Sequence, residues 1–467
     1  MASSKKLRPS NLQPGESKTS QSSKPCPDSS ESRLLNRLEN FLRPLAGPRQ
    51  KLLAAFSGGL DSRVLLELLA RLQPVLQYEL SAMHVHHGLS INADSWADFC
   101  RTVCRDLNIP LEIVRVEVPG DSGKGKEAAA REARYDALNS SDADFIVLAH
   151  HEGDQAETLL LQLLRGAGTK GLSAMARHDA RQRYLRPLLD IPRADLVEFA
   201  TQQKLTWIED ESNADTGYDR NYCRHQILPV MEERFPAAKR TLTRSAFHLA
   251  ESAQLLDELA ELDADSCTQA GQLNIKAMAD LTEPRAKNLL RWWLAGHQQI
   301  MPSAQRLEEM LRQLFSAKAD ANIKIAVDSE QGVWLRRYRD LAYLESSSVT
   351  LPLGLLWQGE TELSLPDGSR LVFEVKVGEG LAFKRLGINK LRISHRVGGE
   401  RFRPDANKPT RTLKHLLQES NMPPWQRQRL PLLYCDDTLA VVPGIGATAD
   451  MQASAQEPGL IVTWEQP

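Results

Sequence analysis

Leu52-Leu-Ala-Ala-Phe56-Ser-Gly-Gly-Leu60-Asp-Ser62 joins two stretches of different period. Leu52–Phe56 is a short apolar run of the length expected for a buried parallel strand. Arg63-Val-Leu-Leu-Glu-Leu-Leu-Ala-Arg-Leu72, which follows, carries helical spacing. A strand that bends through glycines into a helix aims several backbone N–H groups, and the positive end of the helix dipole, at one point. Phosphate suits such a point. Ser57 and Ser62 can add hydroxyl hydrogen bonds, and Asp61 can hold Mg²⁺. A Walker loop would place Lys-Ser/Thr after its second glycine, so a different kind of phosphate loop is expected.

A chain of 467 residues exceeds a single core, and two or three domains are expected. With 58 Lys and Arg against 60 Asp and Glu, the net charge of −2 gives no global sign of nucleic-acid binding. Any RNA contact has to come from local clusters. Six cysteines (26, 100, 104, 223, 267 and 435) include no Cys-x-x-Cys pair, which argues against a zinc ribbon, a redox pair or a local cluster site. Such sparse use suits a reducing compartment, and a cytoplasmic location is expected. No apolar run reaches the ~18 residues of a membrane span, so no membrane partner is expected. Residues 1–34, rich in Ser, Lys and Pro, read as a disordered tail.

Leu34–Leu45 has amphipathic helical spacing. Strands are expected at Tyr78–Val85, Leu111–Val118 and Phe145–Ala149, with helices at Asn92–Leu107 and Glu127–Leu138. This alternation describes a parallel sheet with helices on both faces, whose ligands sit at the carboxyl ends of the strands. The phosphate loop, His84-Val-His-His-Gly88 and the segment after Ala149 all fall at that rim. Two further glycine-rich stretches imitate nucleotide loops. Gly120-Asp-Ser-Gly-Lys-Gly125-Lys126 runs into Glu127 where a Walker loop needs Ser or Thr, and reads as a flexible loop entering a helix. Gly166-Ala-Gly168-Thr-Lys-Gly171 follows the helical run Gln155–Arg165 and reads as a helix C-cap and turn. His84, His86, His87, His150 and His151 have no cysteine or paired carboxylate at metal-ligand spacing. They read as strand-end histidines that touch nucleotide or pack, not as a zinc site.

Ser57-Gly-Gly-x-Asp-Ser62 after a strand resembles the pyrophosphate (PP) loop of the N-type ATP pyrophosphatases. Those enzymes cleave ATP between its α and β phosphates and pass AMP to a substrate oxygen. Further segments narrow the resemblance to the long form of the tRNA(Ile)-lysidine synthetase family. They are His84-Val-His-His-Gly-Leu-Ser-x-Asn-Ala-Asp-x-Trp96, Glu127-Ala-x-x-Arg131-x-x-Arg134-Tyr135 and Ala149-His-His-x-x-Asp-Gln-Ala-Glu-Thr158. Arg186-Pro-Leu-Leu, Trp207-x-Glu-Asp-x-Ser-Asn-x-Asp215 and Arg220-Asn-x-x-Arg224 continue it. Gly398-Gly-Glu-Arg-x-Arg-Pro404, Leu413-Lys-x-Leu-Leu-Gln-Glu419 and Pro423-Pro-Trp-x-Arg-x-Arg-Leu-Pro431 extend it to the C-terminus. One position departs: the family usually has two adjacent aspartates before the Gln of the third segment, and here the first is Gly153. If that carboxylate holds ATP or Mg²⁺ in relatives, Glu152 or Asp61 covers for it, or activity is reduced.

The resemblance implies a Rossmann-like α/β PP-loop domain, then a mainly helical domain and a small α+β domain. It also implies a reaction. ATP adenylates the carbon-2 oxygen of the wobble cytidine in the CAU anticodon of tRNA(Ile), and the ε-amine of free L-lysine then displaces AMP. Ser57, Gly58, Gly59, Leu60, Asp61, Ser62 and His84 are expected at ATP, with Asp61 on Mg²⁺. Asp61 or Asp154 would take the amine proton. Asp154 and Glu157, three apart on one helix face, would hold the lysine α-ammonium. Arg131, Arg134 or Arg220 would fork onto its carboxylate.

The expected boundaries are 1–34 tail, 35–225 catalytic, 226–345 mainly helical, 346–352 linker and 353–467 C-terminal. In the middle region Ser245–Asp263, Pro284–Leu294 and Ser303–Phe315 show helical spacing, before a hairpin of Ile323–Val327 and Val333–Leu335. Residues 384–414 hold ten Lys or Arg against two acids, and no Lys or Arg follows Arg429. Such segregation marks a phosphate-tracking surface. Arg224, Arg240, Arg396, Arg401, Arg403, Arg411 and Lys414 are the residues expected on tRNA. A homodimer is left open. The competing readings are a PP-loop tRNA thiolase, whose relay cysteines are missing, and a tRNA-binding paralogue with a vestigial ATP site, which Gly153 would suit.

Overall fold

A computed structural model describes residues 30–88, 90–118, 126–317, 323–328, 332–346, 354–386 and 391–465. The tail up to position 29, the glycine stretch 120–125 and the linker from position 347 lie outside the described residues. The chain divides into two units, with the boundary between Leu256 and Asp257.

The first unit is built on a sheet of six strands: β1 (Lys51–Ala55), β2 (Glu79–His86), β3 (Leu111–Arg115), β4 (Phe145–Val147), β5 (His178–Asp179) and β6 (Tyr184–Leu185). Their order is β3-β2-β1-β4-β6-β5, parallel except for β5. The helices are α1 (Ser30–Leu42), α2 (Leu60–Leu76), α3 (Ala93–Asp106), α4 (Lys126–Asn139), α5 (Glu152–Leu164), α6 (Thr169–Leu172) and α7 (Arg193–Gln202). Alternation along β1 divides the core in two. Leu52 and Ala54 join residues of α1, α2, α3 and α7, whereas Leu53 joins Met83, Leu138 and Ile146 on the α4 side. The sheet is therefore covered on both faces, as expected.

α1 begins at Ser30, inside the stretch expected to be tail. Leu34, Leu38 and Leu42 recur every four residues and are all buried. Tertiary anchors draw the helix further back: Ser30 Oγ donates to Gln202 Oε1 at 2.7 Å, and Arg71 pairs with Glu31. β3 stops at Arg115 rather than Val118: the ladder with β2 runs over Leu111–Arg115, and one last bond from Val116 N to His86 O at 3.1 Å closes it. After α5, Gly166 N donates to Leu163 O and Ala167 N to Gln162 O, with Gly166 at φ 69°. This paired pattern is a Schellman cap, so the Gly166–Gly171 stretch ends a helix.

Strand order reverses between β1 and β4, since the chain builds β2 and β3 to one side and then crosses α4 to the other. A crevice opens beyond the carboxyl ends at such a switch point. The segments that leave β1 and β4 are Phe56–Gly59 and Leu148–His151. Short helices follow: α8 (Asp219–Tyr222), a π-helical turn at Cys223–Ile227, and α9 (Leu228–Arg234). The long α10 (Ala238–Cys267) then contains the boundary between the units.

In the second unit α11 (Ile275–Ala279), α12 (Glu283–Gly296) and α13 (Ala304–Ser316) share a core with an antiparallel sheet. Its strands are β7 (Thr268–Gln269), β8 (Gln272–Asn274), β9 (Lys324–Asp328), β10 (Val333–Tyr338) and β11 (Leu341–Ser346), in the order β7-β8-β11-β10-β9. The expected hairpin is β9–β10; the rest of the sheet was not foreseen. Further on, Arg370–Val377 pairs with Pro458–Glu465 over eight positions, and Leu432–Cys435 pairs with Thr438–Val442. Leu413–Glu419 and Pro424–Arg429 are helices.

Candidate active site at the carboxyl rim of the parallel sheet

The loop after β1 is clamped from behind. Phe56 N donates to Met83 O at 2.9 Å, and Ile208 N donates to Gly58 O at 2.9 Å. Gly58 takes φ 86°, and a Cβ there would lie 2.5 Å from Ile208 Cδ1. Gly59 is the N-cap of α2 and no side chain caps it, so the amides of the first turn are available to a ligand. Ser57 Oγ and Ser62 Oγ lie 3.0 Å apart, and Ser62 Oγ donates to Gly59 O at 3.0 Å. The Leu60 side chain is buried in the core, so only its main chain faces the loop.

Replacing Gly58 tests this cradle. Left-handed backbone costs a Cβ-bearing residue about 1–2 kcal/mol, before the contact with Ile208 is counted. Gly58→Ala is therefore expected to weaken ATP binding about tenfold, at ~1.4 kcal/mol per decade, in an equilibrium titration. Unchanged affinity would contradict this role for the loop.

Asp61 lies in the first turn of α2. Its Oδ1 is buried without a hydrogen-bond partner, 3.6 Å from Arg193 Nε, and its Oδ2 is 3.8 Å from His151 Nε2. Burial pushes this carboxyl above the usual range, against the opposing pull of His151 and Arg193. An orphaned carboxylate oxygen beside free helix amides and two hydroxyls fits a phosphate chain that arrives with a hard cation. Among the described residues no group of three His, Cys, Asp or Glu could hold a metal ion. A cation on Asp61 would therefore need phosphate oxygens or water as further ligands, which is the habit of Mg²⁺.

His84 is buried, with Nδ1 3.0 Å from Phe56 O and 3.4 Å from Cys100 Sγ. Burial pushes its pKa down, so the neutral ring supports the end of β1 from below. His86 Nε2 lies 3.3 Å from Asp94 Oδ1.

On the β4 side, His151 caps α5. Its Nδ1 accepts from Gly153 N at 3.0 Å, and Asp154 Oδ2 accepts from His151 N at 3.0 Å, which makes a reciprocal capping box. Asp154 and Glu157 then meet two arginines. Arg220 donates to Glu157 Oε2 at 2.9 Å and to Asp154 Oδ1 at 3.0 Å. Arg224 donates to Glu157 Oε1 at 2.6 Å and to Asp154 Oδ1 at 2.9 Å. Burial would raise the Asp154 pKa, but His151, Arg220 and the His151 N–H outweigh it and hold the carboxyl well below the usual range. The cage is a balanced set of two carboxylates and two guanidiniums, with the Glu157 side chain 2% exposed.

Arg131 and Arg134 stand on α4 over the Tyr135 ring, at 4.9 and 5.5 Å from its centroid. Neither pairs with the cage carboxylates, although Arg134 Nε is buried without a partner. Burial holds His150 neutral well below its usual pKa, and Arg220, Arg186 and Arg134 add to the effect. Burial raises the pKa of Glu152, the proposed stand-in at the departure, against the opposing pull of Arg240 and Lys239. Arg224, expected on tRNA, pairs with both carboxylates of the cage. The Arg220-x-x-x-Arg224 spacing, one helical turn, was the signal for it.

Of the other residues expected on tRNA, Arg240 is exposed. Arg396 pairs with Glu400 at 3.1 Å, Arg403 with Asp450, and Arg411 with Glu419 in a fork of 2.8 and 2.6 Å. Arg401 and Lys414 are exposed, and neither is paired to a carboxylate of the described residues.

The glycine bend and its parallel sheet define a class, the PP-loop ATP-utilising proteins, and residues 30–231 match the family model described as PP-loop domain. Residues 273–343 match the TilS substrate binding domain, and residues 391–464 the TilS substrate C-terminal domain. A tRNA(Ile)-lysidine synthase of Nitrosomonas europaea is 43% identical over 431 residues, 91% of this chain and 93% of that protein. Those of Azoarcus sp. and Coxiella burnetii are 42% and 38% identical, over 90% and 88% of this chain and 92% and 93% of their own. The chain belongs to the tRNA(Ile)-lysidine synthase family. A solved structure, the U34-tRNA thiolase NcsA from Methanococcus maripaludis, aligns with 48% of this chain and 80% of its own at 19% identity and a TM-score of 0.42. That likeness is too distant to bear on the chemistry.

Proposed function

We propose that the protein converts the wobble cytidine of tRNA(Ile) bearing the CAU anticodon to lysidine, with ATP and free L-lysine, in the cytoplasm. One observation carries the reading: a charge-balanced cage on α5 stands beside the PP loop, with His151 reaching from one to the other. The domains would follow the spans 35–225 for catalysis, 226–345 and 353–467 for tRNA. A carbonyl oxygen is a poor leaving group until phosphorylated, so the first step joins the cytidine oxygen to the α-phosphorus and releases pyrophosphate. Such a step asks mainly for positioning and charge neutralisation. The α2 amides with Ser57 and Ser62 would hold the departing phosphates, and Asp61 would carry Mg²⁺. The cation, when bound, screens the phosphate oxygens.

The second step needs a neutral amine, and with a pKa near 10.4 only on the order of one lysine in a thousand is neutral at pH 7. Asp61 or Asp154 would take the proton as the nitrogen bonds to carbon-2 and AMP departs. Of the two, Asp61, whose pKa burial raises, suits the proton better than Asp154, which the cage holds acidic. The amino-acid headgroup is a zwitterion. It can enter the cage with its ammonium on Asp154 and Glu157 and its carboxylate on Arg220, leaving no net charge buried. Arg131 and Arg134 remain the alternatives for the carboxylate. AMP release measured with ATP, lysine and this tRNA tests the reading. Release that requires all three supports it, and release without lysine, or none, overturns it.

Arg401 and Lys414 would meet tRNA phosphates in the C-terminal part. Each phosphate contact steepens the dependence of log K on log salt by ~0.7–0.9. The double Arg401→Ala, Lys414→Ala protein is thus expected to flatten that slope by about 1.5 in a salt titration of tRNA binding. An unchanged slope would remove both residues from the interface.

A further inference from the structure

His151 is an unusual helix cap, and its placement depends on a neighbour with no side chain. Its Nδ1 is committed to the Gly153 N–H. An acceptor nitrogen carries no proton, so the imidazole proton is fixed on Nε2. That nitrogen points into the site, 3.8 Å from Asp61 Oδ2 and 3.6 Å from Asp154 Oδ2, on a ring that is 4% exposed. A Cβ built on residue 153 would lie 2.9 Å from His151 Cε1 and 3.2 Å from Nδ1. The 2.9 Å approach is closer than real Cβ atoms show, so something there has to shift. With this backbone, a side chain at 153 would force the His151 ring to shift, moving Nε2 relative to both carboxylates.

We propose that His151, seated by the bare Gly153, is a positioning residue that ties the PP-loop carboxylate of Asp61 to the cage carboxylate of Asp154. Two acids face one donor, and without it they would repel each other. Asp61 Oδ1 makes no hydrogen bond and faces Arg193 Nε at 3.6 Å, while Oδ2 faces the His151 Nε2 donor, so the two groups together orient the carboxylate. Both distances exceed a hydrogen bond, and apo contacts of this kind shorten when substrates close the site. Of the other charged groups, Arg193 lies near Asp61, Arg220 bonds Asp154, and Arg224 bonds Asp154 and also acts on Asp61 through its charge. Among the described residues none of these has one atom within 4 Å of both carboxylates. His151 Nε2 lies within 4 Å of both carboxylates, and it couples the half of the site that activates the base to the half that delivers the amine.

This inference rests on the proposed function, and its test separates the two. Wild-type turnover that depends on lysine and tRNA tests the function; a double-mutant cycle in the same full-length protein tests the link. His151→Asn keeps a cap acceptor for the Gly153 N–H but lacks Nε2. Gly153→Ala keeps every polar group, favours the helix on propensity, and displaces the ring. Each is expected to slow single-turnover pyrophosphate release about tenfold, as small misplacements of reacting groups do. Lysine KM should rise with little change in ATP KM or tRNA affinity, and melting temperature should hold or increase for Gly153→Ala. Because both changes break one contact, the double variant should be no slower than either alone. Losses that multiply would overturn the link, as would wild-type pyrophosphate release in either single variant. A fall in melting temperature that accounts for lost activity in both would also overturn it, by reducing His151 to a cap.

Discussion

Asp61→Ala is expected to release no measurable AMP while binding tRNA within a few-fold of the parent protein. The carboxylate stands where the phosphates of ATP would meet the N-terminus of α2, with one oxygen unpartnered in a buried position. Removal of a single preorganised electrostatic group at such a site costs about 10²–10³-fold in kcat, and loss of the bound cation adds to that. Stability should move the other way. The folded protein raises the Asp61 pKa, chiefly by burial. A raised carboxyl pKa destabilises the fold at pH values above it, a cost relieved as pH falls through the folded value. The variant should therefore melt at the same temperature as the parent or slightly higher, at pH 7. Asp61→Asn separates charge from shape, and it too should be inactive. Normal turnover in either variant would refute the role of the loop.

Glu157→Gln is expected to damage both lysine use and stability. The Glu157 carboxylate is nearly sealed from water and receives three hydrogen bonds from Arg220 and Arg224. Breaking a buried pair on one side strands the other charge, at a cost of about 3–5 kcal/mol. For a unit of this size that lowers the melting temperature by roughly 2–4 °C per kcal/mol. The KM for lysine should rise at least ~100-fold, the equivalent of two decades of binding energy, while the ATP KM changes little. A compensating Arg224→Met on the Glu157→Gln background should recover part of the stability and none of the lysine use. A Glu157→Gln enzyme with the parent's lysine KM would move the amino-acid site elsewhere.

The catalytic sheet was legible because its strands have local causes. Leu52–Phe56, the two glycines and the Val64–Leu72 repeat each show their period within a dozen residues, and the alternation of β2 and β3 with α3 and α4 needs no distant partner. What was missed depends on distant pairing. β5 and β6 have two residues each, too short to show a period. β8 exists because Leu273 and Asn274 meet Ala342 and Leu341, some seventy positions on. A region whose helices dominate its sequence pattern thus also holds a sheet, of which only the β9–β10 hairpin announced itself.

The site divides in the same way. Asp61 is fixed by its place in the bend, and Asp154 with Glu157 by helical spacing. Arg224 was legible in spacing but not in destination, because nothing local tells an arginine which carboxylate it will find across a turn of π-helix. The meaning of Gly153 was hidden altogether. As a sequence position it reads as a missing carboxylate, whereas in the fold its bare Cα gives the His151 ring room to cap α5.

The place where ATP binds decides the role of the glycine bend. A crystal structure with ATP and magnesium should show the β and γ phosphates against the amides that open α2, between Ser57 and Ser62, with the cation on Asp61. Nucleotide bound at another place on the molecule, or an empty bend at saturating ATP, would contradict it.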